Sequence, residues 1–207
     1  MNLTTVIILI TVIMSIYGFN NYSFLHRLID NPYTVNRRKE YYRLLTSGFI
    51  HADYLHLLLN MYVLYMFGSN MESVFAASFG QQGGLYFMGL YILGILVANI
   101  PDQVRHRNNP GYNSLGASGG VSAVVFAFII LVPLSKLMIF PIPVQIPAWI
   151  FAIIYVAYSV YMDRRQADRV NHLAHLWGAL WGVVFIVWTY PGALPYFFQQ
   201  IAGSLRF

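Results

Sequence analysis

The stretch GASGGVSAVVFAFIILVP, residues 116–133, joins a hydroxyl flanked by small residues to a long apolar run. The hydroxyl belongs to Ser118. The segment before it, from Asn108 to Asn113, is polar and contains a proline and a glycine, which favours a loop. Ser118 is therefore predicted to lie where a loop becomes a membrane-spanning helix. A polar side chain at that depth is costly unless it has a structural or chemical use.

The composition of the whole chain indicates an integral membrane protein. Of its 207 residues, 58% are hydrophobic and 9% are charged, whereas a soluble domain has roughly a quarter of its residues charged. The basic residues lie in short loops rather than in one stripe, so no nucleic-acid partner is predicted. Because the chain has no cysteine, disulfides and thiolate chemistry are excluded.

Six apolar runs approach the roughly 20 residues that a helix needs to cross a bilayer. The first lacks the basic start and the cleavage site of a signal peptide, so a retained span is expected. Residues 20–53 mix aromatic and basic side chains, which indicates a long interfacial loop that is partly helical. We therefore predict one all-α membrane domain over residues 1–207, a bundle of six transmembrane helices. The predicted spans are residues 4–19, 54–72, 84–100, 116–133, 147–162 and 170–190.

A second polar residue, His175, lies inside the last predicted span. A serine and a histidine supply the nucleophile and the base of serine-dependent hydrolysis, and a helix start at Ser118 favours a developing anion. Each residue also has a structural alternative: Ser118 as a helix N-cap, and His175 as a partner of a neighbouring carbonyl. His172, three residues before His175, makes only a weak metal-site pattern, and we predict no metal or other cofactor.

Pairs of glycines four residues apart lie next to both of these polar residues. In lipid, such pairs allow two helix backbones to approach closely. A crossing of the fourth and sixth spans at these glycines would bring Ser118 and His175 together. The pairs are Gly116 with Gly120 and Gly178 with Gly182.

A second histidine cluster, His51 and His56, lies at the head of the second predicted span. Asn60 follows His56 by four residues, so the two side chains share one helix face. Imidazole and carboxamide N–H groups that point the same way suit an oxyanion site. The alternative is that both residues are polar caps of a span at the membrane interface.

These motifs together resemble the rhomboid family of intramembrane serine proteases. The resemblance extends from about Tyr41 to Gly182, and the order and spacing of the motifs agree. The matching segments are Gly116 to Gly119 for the nucleophile, Ala174 to Gly182 for the histidine helix, His56 to Asn60 for the His-x-x-x-Asn motif, and Tyr42-Arg43 where the family usually has Trp-Arg.

The resemblance implies that Ser118 is the nucleophile and His175 the general base, a dyad without a third acid. His56, Asn60 and the backbone N–H of Ser118 would form the oxyanion site. The implied reaction is hydrolysis of peptide bonds in or next to transmembrane segments of membrane-protein substrates, within the lipid bilayer. Rhomboids often have an aromatic residue four positions after the nucleophile, stacked on the histidine. Here Ser122 occupies that position, so Trp177 or another ring is expected to take this role.

Two other functions remain as alternatives. One is a catalytically inactive rhomboid-like protein that binds transmembrane clients, although such relatives usually lack the serine or the histidine. The other is a small transporter. Against a transporter, the predicted spans around the dyad carry no carboxylate, and no inverted repeat is evident.

Ten of the 12 Lys and Arg residues lie in the first, third and fifth links between the predicted spans. The positive-inside rule assigns these links to the cytoplasm. The rhomboid resemblance assigns the same links to the periplasm or a lumen. We expect a multi-pass protein of a bacterial inner membrane whose active site faces the periplasm.

Overall fold

The computed structural model describes residues 2–138, 144–165, 168 and 170–205. The described residues form ten α-helices and a two-stranded antiparallel ribbon in which Leu137 pairs with Ile146. The helices are α1 (Leu3–Asn20), α2 (Tyr22–Leu28), α3 (Pro32–Arg38), α4 (Arg43–Thr46), α5 (Tyr54–Phe79), α6 (Gly83–Arg105), α7 (Ser118–Leu131), α8 (Ala148–Arg165), α9 (His172–Thr189) and α10 (Ala193–Ser204), and the strands are β1 (Lys136–Met138) and β2 (Gln145–Pro147).

The predicted all-α membrane fold is confirmed, and the six predicted spans correspond to α1, α5, α6, α7, α8 and α9. By length and composition, α1, the stretch Tyr54–Arg105 that contains α5 and α6, and α9 are apolar enough to cross a membrane. The last turn of α8 carries Arg164 and Arg165, which lowers its hydropathy. The ribbon β1–β2 was not predicted and connects α7 to α8.

Helix α7 lies at the centre of the bundle, where it contacts α5, α6 and α9. From Gly119 to Ile130 every residue is buried except Phe128. With 14 residues it is about 21 Å long at 1.5 Å per residue, shorter than a typical bilayer core. The span predicted from residue 116 starts two residues too early, because Gly116 has φ +121°, which a helix excludes.

Helix α1 is attached to the bundle through the carboxylate of Glu72 on α5. Glu72 accepts hydrogen bonds from the backbone N–H groups of Leu3 and Thr4, at 2.7 and 2.9 Å, and from the Thr4 hydroxyl at 2.8 Å. The first N–H groups of a helix have no partner within it, and its dipole favours a negative charge there. The one acidic residue of the second predicted span therefore satisfies a helix end.

The first link is partly helical, as predicted, and is closed by a buried arginine. The Arg43 side chain donates to the carbonyls of His26 and Ile29, at 2.7 and 3.0 Å, and to the Glu40 carboxylate at 2.6 Å. The neighbouring Arg43 guanidinium lowers the pKa of Glu40. The arginine of the Tyr-Arg motif is thus a structural residue of this loop.

Candidate active site

Ser118 is the first residue of α7, and the loop before it is held by two neighbouring segments. Gly116 N–H donates to the carbonyl of Ser47 at 2.9 Å, and Ala117 N–H donates to Nε2 of His51 at 3.3 Å. Ala117, not Ser118, occupies the N-cap position, and among the described residues no side chain caps this helix end. The N-cap alternative for Ser118 is therefore wrong, and the first N–H groups of α7 have no intrahelical partner.

The contact between α7 and α9 relies on glycines of α9. A methyl group on Gly178 would collide with the Gly119 carbonyl, and one on Gly182 would collide with the Ala123 carbonyl. His175 precedes Gly178 by three residues, one helical turn, so it lies next to this contact on the side of Ser118. The predicted crossing of the fourth and sixth spans is confirmed for the two glycines of α9.

The other predicted glycine pair has different partners. A methyl group on Gly120 would come within 2.9 Å of the Tyr91 ring on α6. One on Gly116 would come within 2.7 Å of the His56 ring on α5. The pair Gly116 and Gly120 therefore does not form the contact with α9. The backbone carbonyls of Gly119 and Ala123 contact α9 instead, while the Cβ positions of these two residues face Ala98 and Gly94 on α6.

Both predicted oxyanion residues lie on the first two turns of α5. The His56 ring packs against Gly116, directly before the Ser118 turn, and its backbone N–H donates to the Asp53 carboxylate at 2.8 Å. Asn60 is buried, and its amide donates to the His56 carbonyl at 2.9 Å. The two side chains share a face as predicted, and the Asn60 amide bonds to its own helix.

His51 anchors the loop that precedes Ser118. Its Nε2 accepts from Ala117 N–H, so Nδ1 carries the ring proton and donates to the Ser15 hydroxyl at 3.0 Å. Burial, helped by the neighbouring His56 and opposed by Asp53, lowers the pKa of His51 to about 3. His51 is therefore a neutral link between α1 and the loop. Its position among apolar neighbours in the sequence did not reveal this role.

The imidazole of His175 has two ring neighbours in the described part of the chain. Tyr155 of α8 lies nearly parallel to it, with ring centroids 6.4 Å apart and an interplanar angle of 20°. His172 contacts it edge-on at 6.0 Å. Trp177 is 36% exposed and is not a ring neighbour of His175 among these residues. The expected aromatic partner is thus a ring from another helix, not Trp177.

His172 contacts an acidic residue and an aromatic residue. Its Nε2 lies 3.1 Å from the Asp168 carboxylate, and Tyr158 contacts its ring edge-on at 5.6 Å. The start of α9 is fixed separately by Asn171, whose amide oxygen caps Ala174 N–H at 3.0 Å. The Asn171 amide group donates to Asp102, Tyr112 and Ser114, which joins α9 to α6 and to the third link.

Ser118, His175, His56 and Asn60 line one cleft of about 1520 Å³. The cleft continues between α5 and α8, where apolar side chains line it. These include Leu59, Tyr62, Val63, Met66 and Phe151. The polar groups are thus at one part of an elongated and mostly apolar cleft, a shape that suits an apolar peptide segment.

The Rhomboid domain family matches residues 38–192, most of the chain. The chain belongs to the rhomboid family. It is 31% identical over 139 residues to Rhomboid protein 1, mitochondrial, of Saccharomyces cerevisiae. The aligned residues cover 67% of this chain and 39% of that protein. RHOMBOID-like protein 12, mitochondrial, of Arabidopsis thaliana is 30% identical over 162 residues, covering 70% of this chain and 45% of that protein.

A third relative of this rhomboid is Presenilin-associated rhomboid-like protein A, mitochondrial, of Danio rerio. It is 32% identical over 145 residues, covering 68% of this chain and 35% of that protein. This rhomboid thus spans less than half the length of these three relatives. Family membership and the apolar helices make it a multi-pass membrane protein. The mitochondrial location in the relatives' names describes those proteins, and the bacterial inner membrane expected here stays a prediction.

Proposed function

We propose that this rhomboid is an intramembrane serine endopeptidase in which Ser118 is the nucleophile and His175 the general base. The main observation in support is that Ser118 and His175 line one cleft, next to the glycine contact between α7 and α9. Its substrates are transmembrane segments of membrane proteins, which the apolar continuation of the cleft between α5 and α8 would accept. The family match over residues 38–192 supports the same conclusion.

In the acylation step, the Ser118 hydroxyl attacks the scissile carbonyl carbon and transfers its proton to His175. The tetrahedral intermediate collapses, the C–N bond breaks, and His175 returns the proton to the leaving amine. In the second step, water attacks the acyl-enzyme and gives a proton to His175. The ester bond then breaks, a carboxylic acid is released and the Ser118 hydroxyl is restored.

Negative charge develops on the substrate oxygen in both steps and needs preorganised donors. The N–H groups at the start of α7 and the ring of His56 are the donors that we propose. Asn60 is the further candidate, and it would have to exchange its bond to the His56 carbonyl for one to the substrate. Removal of one such donor from a protease costs about 2.7–4 kcal/mol of transition-state stabilisation.

Replacement of Ser118 by alanine tests the proposal most directly. Ser118→Ala is expected to abolish cleavage of a reporter transmembrane substrate in proteoliposomes, while expression and thermal stability persist. Ser73→Ala is the matched control, because that hydroxyl is exposed on α5 and bonds to the carbonyl of its own helix at 2.9 Å. Cleavage that persists in Ser118→Ala would refute the assignment.

A fluorophosphonate probe separates the protease from the alternative, a catalytically inactive binder of transmembrane clients. A protease reacts with the probe at Ser118, and His175→Ala removes the reaction. A binder is not labelled by the probe, and it retains client binding in Ser118→Ala and in His175→Ala. Labelling that is equal in wild type and His175→Ala would contradict the dyad.

We also propose that residues 1–207 form one rhomboid-like domain. The central position of α7, which contacts α5, α6 and α9, supports this organisation. For its location we propose the bacterial inner membrane with the cleft facing the periplasm, as the resemblance implies. Fractionation of the native cell tests the membrane, and an organellar location would overturn this part of the proposal.

A further inference from the structure

The proposed base must hold its imidazole in one orientation, because one ring nitrogen has to face the Ser118 hydroxyl. A displacement of about 1 Å in such a group can cost roughly 100-fold in rate. The position on α7 that could carry a ring one turn after Ser118 is Ser122. The near-parallel ring is instead that of Tyr155, which is carried by α8.

The Tyr155 ring is itself held from several sides. Its hydroxyl lies 2.9 Å from Oγ of Ser122, a buried hydroxyl on α7. Phe126 on α7 and Phe151 on α8 contact the ring, with centroids 5.4 and 5.8 Å away. Offset-parallel and tilted pairs at 4.5–7 Å are the favoured arrangements of aromatic rings.

We propose that Tyr155 is the positioning residue for His175, and that the Ser122 hydroxyl fixes Tyr155 against α7. This inference rests on the proposed function, since it assigns a role in the same dyad. The Tyr155 ring stacks beside the imidazole and also lines the cleft, so the His175 resonances, measured without substrate, separate its effect on the imidazole from any contact with the substrate. Ser122 on α7 and Tyr155 on α8 together would thus take the role of the aromatic residue that rhomboids often have at the position of Ser122.

The arrangement makes His175 depend on a peripheral helix. Helix α8 buries only Ala148 and Ser159 among its described residues, whereas α7 is buried along most of its length. Ser118 is therefore carried by the central helix, and the support of the base is carried by a helix that borders the cleft. A change in Tyr155 should alter the rate of the chemical step more than it alters substrate binding.

Steady-state cleavage by three variants tests the proposal. Tyr155→Leu removes the ring and is expected to lower kcat roughly 10- to 100-fold with little change in KM. Tyr155→Phe keeps the ring and should stay within about fivefold of wild type, the value of one ordinary hydrogen bond. The control Tyr161→Leu changes an exposed tyrosine of the same helix and should have no effect.

A spectroscopic measurement distinguishes this inference from the proposed function. In protein with ¹⁵N-labelled histidine, the His175 resonances are assigned by their loss in His175→Gln. Tyr155→Leu should shift these resonances and the pH profile of kcat, and Tyr161→Leu should shift neither. If wild type cleaves nothing but the His175 signals still respond to Tyr155→Leu, the protease assignment fails and the ring support stands.

The proposal is overturned if Tyr155→Leu retains the wild-type kcat, pH profile and His175 resonances. Should Tyr155→Leu not fold, Ser122→Ala decides, because it keeps the ring and removes only the anchoring hydroxyl. Ser122→Ala is then expected to lower kcat about fivefold, the value of one hydrogen bond, and to shift the His175 signals. An unchanged kcat together with unchanged signals would overturn the proposal.

Discussion

His51 illustrates how a single side chain can serve a site without entering it. It is fully buried, it accepts the Ala117 N–H, and it donates to Ser15 on α1. The backbone on which Ser118 lies is therefore held by a ring 67 positions earlier in the chain. A titratable residue near a reactive hydroxyl can thus be structural, and its hydrogen-bond partners decide between the two roles.

His51→Ala is expected to destabilise the protein and to slow fluorophosphonate labelling of Ser118. A buried N–H left without an acceptor costs about 1–3 kcal/mol. Ser15→Ala is the matched control, because it removes the far end of the link and leaves the Ala117 bond intact. Thermal unfolding in detergent micelles and labelling rates measure both effects, and equal losses in the two variants would contradict the role of His51.

Asp30 in the first link predicts a pH dependence of stability. Burial, together with the nearby carboxylate of Asp102, raises the pKa of Asp30 to about 7. The hydrogen bonds from Gln103 and the charge of Arg43 act in the opposite direction and are smaller than the effect of burial. The folded protein therefore retains a proton that the unfolded chain has lost. Its contribution to stability is complete below pH 3.8 and disappears as the pH rises through about 7.

In Asp30→Asn this loss should vanish, so the decrease in Tm between pH 5 and pH 8 becomes smaller than in wild type. The exposed Asp53 offers a control, since Asp53→Asn keeps a side chain that can cap α5. Asp53 raises the pKa of His51, so the deciding comparison is wild type with Asp30→Asn, in which the contribution of His51 to the pH dependence cancels. An unchanged Tm difference in Asp30→Asn would contradict the raised pKa of Asp30.

At the scale of elements, the contact between α7 and α9 decides whether the two halves of the dyad meet. Glycines are required on α9 because backbone carbonyls of α7 occupy the space of a side chain at Gly178 and Gly182. The helices themselves follow from hydropathy, but their ends do not. Helix α6 continues through Pro101 to Arg105, beyond the predicted end at residue 100. Hydropathy missed this last turn because its residues are polar.

Gly182→Ala should push α9 away from α7 and destabilise the protein by about 1–3 kcal/mol, the usual cost of overpacking. Gly182 is two helical turns from His175, so a fall in cleavage would report helix spacing and not a blocked site. Gly203→Ala is the control, because no atom lies within 4 Å of a methyl group there. Thermal unfolding and cleavage assays test both, and equal stability of the two variants would contradict the contact.

At the scale of the whole molecule, the first, third and fifth links lie at one end of the bundle. The backbones of Asp30 and Ser114 form an isolated bridge, and Arg105 pairs with Asp163 at 3.2 Å. Arg43 is buried within its own loop, so it is not a free surface charge. The positive-inside count is therefore weaker than the sequence suggests. One of the ten counted residues, Arg169, lies outside the described residues.

Single cysteines test the orientation, because the natural chain has none. Asn108→Cys in the third link should react with a membrane-impermeant maleimide added outside. Gln81→Cys, exposed in the second link, should react only after the membrane is opened. The reverse result would support the positive-inside rule, and labelling of both from the same side would contradict the alternation of the spans.

Hydropathy and short motifs in the sequence were sufficient to predict the membrane class and the apolar helices, and to name the residues that we propose for the dyad and its surroundings. These features are local, since a span or a His-x-x-x-Asn face depends on residues within a few turns of one another. Only the tertiary structure decided which glycines face α9, that His51 anchors the loop, and that Tyr155 provides the ring beside His175. Ser122 and Tyr155 are 33 residues apart, and their 2.9 Å contact exists only because α7 and α8 pack together. Contacts between helices depend on the relative rotation of the helices, which no single segment of the sequence specifies.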